Sequence, residues 1–388
     1  MMKVKGRESR VKSRKHRLAL RSHFGSRLLT LDPRPARRGV TLVELLITIL
    51  IISILAAAVL GVAAVAGETA REARTRNMIA RIHTLLTEHY DSYKSRRVKL
   101  QPAVNAHIGS LTSTRDRGQA KQLARLLALR ELMLMEMPDR WSDVLLESVP
   151  PASPTAPKVL PLYLAVPSTT GRTDLANVYL RHYGRIASSN NKFANPPRLN
   201  TPDEIRANQG AECLYMIIIY ATADGEARTL FPASNIGDTD GDGAPEFLDG
   251  WGNPIGFLRW APGFDSEIQS NANELDNPPS GAPVDAWAAA VNRDHDPFDL
   301  YRVESITAFR LVPLVYSGGT DEDDGLRTED TYVTWRLTGS PSTLTTFPFF
   351  SPVLTPYKRV GTDNVYLGTD DGTQTATDNI HNHLIDTR

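Results

Sequence analysis

The chain has 388 residues, 44 Lys and Arg against 44 Asp and Glu, and 41% hydrophobic residues, enough length to bury a real core in one to three domains. Its single cysteine, Cys213, excludes an intramolecular disulfide and a cysteine-based metal site, and is expected to pack as a small apolar side chain. The zero net charge hides an asymmetry: thirteen basic and two acidic residues lie up to Gly39, an excess of eleven that the rest of the chain balances.

A basic arm could bind nucleic acid, but this one leads directly into an apolar run, which points to cytoplasmic retention beside a membrane and no nucleic-acid partner. From Val40 to Ala66 the run covers 27 residues, about 40 Å as a helix, more than the roughly 30 Å of a hydrocarbon core. Arg34, Arg37 and Arg38 crowd its N-terminal side. The positive-inside bias therefore predicts a single pass, with the N-terminus cytoplasmic and the body extracytoplasmic, anchored in membrane lipid. An ordinary secretory signal would be cut after the apolar run, whereas the unusual feature here, Gly39, lies before it.

Glu44 stands inside the run, where a carboxylate is costly and needs a partner. A cut after Gly39 would make Val40 a free α-amine four residues before Glu44. A neighbouring subunit could then offer that ammonium to the carboxylate and set the axial register. The alternative is a plain signal anchor with Glu44 at the headgroup level. Beyond the run, Ile79, Ile82, Leu85, Leu86, His89 and Tyr93 recur at helical spacing and predict an amphipathic stem to about Lys94, with His89 packed on it.

The segment Gly39-Val40-Thr41-Leu42-Val43-Glu44-Leu45-Leu46, behind a basic leader and ahead of a long apolar helix, resembles the cleavage and methylation site of type IV prepilins and pseudopilins. That resemblance implies cleavage after Gly39 and methylation of Val40 by prepilin peptidase, and an assembly role for Glu44. It also implies other pseudopilin subunits and an inner-membrane assembly platform as partners. Two features depart from the family: the leader is longer than usual, as an upstream start codon would explain, and Gly61 stands where many members carry a helix-kinking proline.

Across 98–230 the sequence reads as a partly helical insertion. Helices are expected over 121–135, over 175–187 and over 203–220, the last opened by Thr201-Pro202-Asp203-Glu204. Pro150 to Pro167 holds six prolines in eighteen residues and reads as an extended connection.

The region 231–388 carries two acidic loops. Asp238, Asp240, Asp242, Glu246 and Asp249 occupy positions 1, 3, 5, 9 and 12 of an EF-hand-type spacing with Gly241 at position 6, a candidate calcium loop, although an acidic Gly-rich surface turn would have the same composition. Next, Asp249-Gly250-Trp251-Gly252-Asn253-Pro254 reads as a tight turn into a strand, with Trp251 as its anchor. This turn, the segment 312–325 and Asp378-Asn379-Ile380-His381-Asn382-His383 resemble, in order, three segments of the major pseudopilin of type II secretion. From that resemblance Asp321, Asp323, Asp324 and Asp378 are carried over as a second candidate calcium set, with Asn379 standing where the family has an acid.

Sequence motifs for a serine-hydrolase elbow, a phosphate-binding loop and a zinc-protease helix are absent, and His381 and His383 read as solvated tail residues. The expectation is a non-enzymatic α+β pilin-like protein: leader 1–39, membrane helix 40–66, stem 67–97, insertion 98–230, and a sheet with acidic loops over 231–388. Its expected role is structural, in a secretion filament. A membrane-anchored, calcium-stabilised binding module or a pilus subunit is the alternative.

Overall fold

The computed structural model describes residues 39–146, 161, 163–166, 171–221, 227–304, 308–328, 356–357, 359–360, 365–372 and 379–384. Two compact units divide the chain, residues 1–61 and 62–388. The leader up to residue 38 and Asp378 lie outside the described residues.

Helix α1 (Leu42–Ser92) runs through Gly61 without a break and is followed by a 3-10 turn, Tyr93–Ser95, where the sequence predicts the stem to end. Its start is a capping box: the Thr41 hydroxyl accepts the Glu44 N–H at 3.2 Å, and Glu44 Oε2 accepts the Thr41 N–H at 2.8 Å. Every large apolar side chain from Val40 to Val65 is 51–75% exposed. Thr48 and Ser53 donate their hydroxyls to the helix's own carbonyls, so these polar groups need no water. Among the described residues this is the one helix long and apolar enough to cross a membrane.

In the second half of α1 the pattern changes. Thr75, Met78, Ile79, Ile82, His83, Leu86 and Tyr90 are buried at intervals of three and four, while Glu68–Arg71 and Asp91–Lys94 ion pairs occupy the exposed side.

Helices α2 (Pro102–Ser110), α3 (Thr114–Glu136), α4 (Trp141–Leu145) and α5 (Asp174–Ala187) follow. Ser113 and Thr173 cap α3 and α5 through their hydroxyls. The two short helices α2 and α4 were not expected; they are too short for periodicity to announce them. From the proline-rich stretch, Tyr163 and Leu164 are packed, not free: both backbone N–H groups donate to the buried Glu131 carboxylate, at 2.9 and 2.7 Å.

The expected helix over 203–220 is two helices and a turn. Thr201 and Glu204 form a capping box for α6 (Pro202–Ala207), the chain breaks at Asn208, and α7 (Gln209–Met216) passes into a π-helical turn, Ile217–Ala221. The break brings Gly210 against the next sheet, where a Cβ would lie 2.9 Å from the Phe257 carbonyl oxygen. Cys213 is fully buried in α7.

After α8 (Ala227–Leu230), β1 (Ile236–Gly237) pairs antiparallel with β2 (Glu246–Phe247), and the first acidic loop is their connection. Then β3 (Gly256–Leu258), the unexpected short helices α9 (Ala272–Asp276) and α10 (Ala286–Arg293), and β4 (Leu314–Ser317) follow. A separate two-stranded sheet, β5 (Arg359–Val360) with β6 (Val365–Tyr366), precedes β7 (Ile380–His381). Strands β3, β4 and β7 form one antiparallel sheet in that order, with Phe257 opposite Val315 and Ser317 opposite Ile380. Of the three segments singled out in sequence, the first is the turn that leads into β3 and the other two contain β4 and β7, and the fold is α+β as expected.

Of the two histidines near the end of the chain, His383 is buried and His381 half-buried, so neither is a solvated tail residue. His383 is 1% exposed with Nδ1 at 2.9 Å from the Ser266 hydroxyl, and His381 packs edge-on to Phe264. Between them, buried Asn382 accepts the Val315 N–H at 2.8 Å, donates to the Pro313 carbonyl and meets His83 Nδ1 of α1 at 2.9 Å. A tail residue that satisfies three buried groups on two other elements becomes core.

Candidate functional site

At the N-terminal site, Gly39 and Val40 immediately precede α1, and Glu44 lies in its first turn. The capping partners Thr41 and Glu44 both fall after the Gly39–Val40 bond, so a cut there leaves the cap intact. In the single chain Glu44 therefore serves its own helix end, a role the sequence reading did not give it. The exposed apolar side chains from Val40 to Val65 need lipid or neighbouring helices to cover them.

The first acidic loop is folded around its own carboxylates. Asp240 Oδ1 accepts the Asp242 N–H, Asp238 Oδ2 accepts that of Gly243, Asp242 Oδ1 accepts that of Ala244 at 2.6 Å, and Glu246 Oε2 accepts that of Thr239. Gly241 and Gly243 take positive φ values of 80° and 101°, as a tight carboxylate-lined turn requires. Two sets of carboxylates, each with ligand atoms within 4.8 Å of one another, share Asp240: Asp238, Asp240 and Asp242; and Glu212, Asp240 and Glu246. Glu212 belongs to α7, far away in sequence, and was not foreseen. Asn208, at the break between α6 and α7, donates to Asp240 at 3.3 Å and to Thr239 at 2.9 Å.

Burial, with neighbouring carboxylates adding to it, pushes Asp242 up to about 7 and Glu246 up to about 8, and raises Glu212 well above the carboxylate range. Lys192 pairs with Asp238 from the exposed edge.

Asp249 is not among these carboxylates. Its Oδ1 accepts the N–H groups of Trp251, Gly252 and Asn253 at 2.8, 2.8 and 2.9 Å, and its Oδ2 accepts the Ser317 hydroxyl at 2.7 Å. The carboxylate assigned to position 12 of a calcium loop instead builds the next turn and ties it to β4. That turn docks on α1: the Gly250 N–H donates to Thr75, and Trp251 Nε1 donates to Glu68 at 2.9 Å. A Cβ on Gly250 would sit 2.3 Å from the Arg71 carbonyl oxygen, so only glycine fits.

In the second acidic loop, Asp321, Asp323 and Asp324 each spend an oxygen on a backbone N–H two residues ahead, at 3.0–3.1 Å. Among the described residues no group of three acidic ligands gathers there. Asn379 donates to the Asp324 carbonyl at 2.7 Å, linking the terminal segment to the loop.

Residues 34–60 match the family model described as the prokaryotic N-terminal methylation motif. No curated protein and no solved structure compared with the chain matches it. A motif of this kind implies processing by prepilin peptidase and assembly with other pilin-type subunits, and one long apolar helix at the N-terminus is consistent with a single-pass anchor. The motif embraces Gly39, Val40 and Glu44 at the head of that helix, and this supports placing the chain among the type IV pilin-like proteins.

Proposed function

We propose that the chain is a structural subunit of a type II secretion-like filament, a pseudopilin. It is held in the inner membrane with its body outside the cytoplasm, cut after Gly39 by prepilin peptidase, methylated on Val40 and handed by an assembly platform to a growing filament. The observation that carries this reading is the methylation motif at the start of a helix whose apolar side chains are left uncovered over its first half. In a filament those side chains bundle with neighbouring copies. The Val40 ammonium of one subunit pairs with Glu44 of the next, competing with the Thr41 cap. No enzymatic group is needed, because the work is mechanical: extension of the filament moves a secreted protein outward. A pseudopilin is favoured over a pilus subunit because the three pseudopilin-like segments meet at one sheet: the turn 249–254 leads into β3, and the other two contain β4 and β7.

The test is mass spectrometry of the N-terminus from membranes of cells with and without prepilin peptidase. A chain beginning at methylated Val40 only when the peptidase is present is the expected result; an uncut leader in both would overturn the reading.

A further inference from the structure

The first acidic loop holds more buried negative charge than its protein surroundings neutralise. Glu212, Asp242 and Glu246 are 1%, 0% and 0% exposed. Each has one oxygen that accepts a hydrogen bond: Glu212 from Trp141 Nε1, Asp242 from Ala244, Glu246 from Thr239. The other oxygen of each, and Oδ1 of Asp238, is buried with no hydrogen-bond partner. Four carboxylate oxygens stripped of donors, beside the Asp240 carboxylate that both sets share, repel one another when ionised, and a cation between them relieves that repulsion.

We propose that Glu212, Asp238, Asp240, Asp242 and Glu246 bind one divalent cation of the calcium type, with Glu212 of α7 taking the place that the loop spacing gives to Asp249.

The donor set is all carboxylate, which suits a hard cation and not the imidazole- or thiolate-seeking transition metals. Within each of the two sets that share Asp240 the ligand atoms lie within 4.8 Å of one another, a spacing that fits metal–oxygen distances of about 2.3–2.6 Å, the calcium range. Magnesium is a poorer match, since it keeps several of its waters and seeks few carboxylates. Backbone N–H bonds hold one oxygen each of Asp238, Asp242 and Glu246 and leave the other for the ion, whereas Asp240 meets the Asp242 N–H with one oxygen and the Asn208 amide with the other.

The ion would staple two parts of the chain. Glu212 is held from α4 by Trp141, whose backbone N–H is also tied to Gln209 of α7 at 3.1 Å. Asp238, Asp240 and Asp242 sit between β1 and β2, and Glu246 opens β2. The helical region and the first acidic loop thus meet at one charge. This inference stands whether or not the chain is processed after Gly39.

The experiment is calcium titration by calorimetry of the full chain in detergent after chelator treatment, comparing wild type with Glu212→Gln, Asp240→Asn and Asp249→Asn. Gln at 212 keeps an acceptor for the Trp141 indole. Wild type is expected to bind one calcium ion. Glu212→Gln and Asp240→Asn should each weaken binding at least about tenfold, and Asp249→Asn should bind as wild type does. Half-exposed Asp240 provides the reading if Glu212→Gln does not fold. No saturable binding by wild type, or wild-type affinity in Glu212→Gln or Asp240→Asn, would overturn the proposal.

Discussion

The two acidic loops have similar compositions and opposite structures. Over 238–246 the carboxylates turn inward, meet Glu212 and leave buried oxygens without donors. Over 321–324 Asp321 and Asp323 are exposed, and each aspartate closes a local turn onto the backbone two residues on. What separates them is a distant helix. The first loop faces the acidic start of α7, whereas the terminal segment meets the second loop with an amide, Asn379, a neutral donor that needs no cation. Alternating aspartates alone make a turn; a remote carboxylate turns such a loop into a candidate ion site.

The largest effect expected is at the end of the first loop. Asp249→Ala removes the acceptor for three backbone N–H groups and the Ser317 hydroxyl, and should cost about 4 kcal/mol. Denaturation of the full chain, followed by tryptophan fluorescence, should give the same loss in calcium and in chelator. A loss seen only in calcium would return Asp249 to the ion site.

Next, Gly250→Ala drives a methyl group into the Arg71 backbone and should cost about 3 kcal/mol, with calcium affinity kept.

Acid probes the sheet that leads into the second loop. Burial holds His383 down at about 3 and His381 at about 4, so both are neutral in the folded chain. His383 faces His381 and His83, which oppose its charging further. Their contribution is complete above the unfolded value of about 6.5 and is lost as pH falls towards those lower values. Stability measured in chelator should therefore drop on the order of 2 kcal/mol per histidine between pH 6.5 and 4, and His383→Gln should flatten the drop. An unchanged slope in His383→Gln would mean that other groups drive it.

The smallest effect is expected in the second loop itself. Asp321→Asn should change stability by less than about 0.5 kcal/mol and leave the calcium response unaltered. A lost calcium response would show that this loop, and not the first, holds the ion.

Much of the fold was legible because its signals are local. The stem of α1 announced itself through Ile79, Ile82 and Leu86, the start of α6 through Thr201 and Glu204, and the sheet through three ordered segments. The helix break at Asn208 was not legible; just past it Gly210 approaches the Phe257 backbone, a contact distant in sequence. In the candidate ion site the loop aspartates could be read from their spacing, and Glu212 could not, because its partners lie about thirty residues away. One signal was present: Glu212 is an acid beside Cys213-Leu214 in a buried helix, and such a charge needs a stated partner. His383 was misjudged for the converse reason, since nearness to a chain end says little about burial when the segment is a strand partner.

Asn382 and His83 meet although 299 residues separate them along the chain. The side chain that satisfies Val315 of β4 and the preceding Pro313 comes from the segment 379–384. A chain made N-terminal part first therefore carries an unfinished stem until that segment is made. A chain truncated before Asn382 would leave His83, the Val315 N–H and the Pro313 carbonyl without the one amide that joins them, so the stem and the sheet would lose a shared latch.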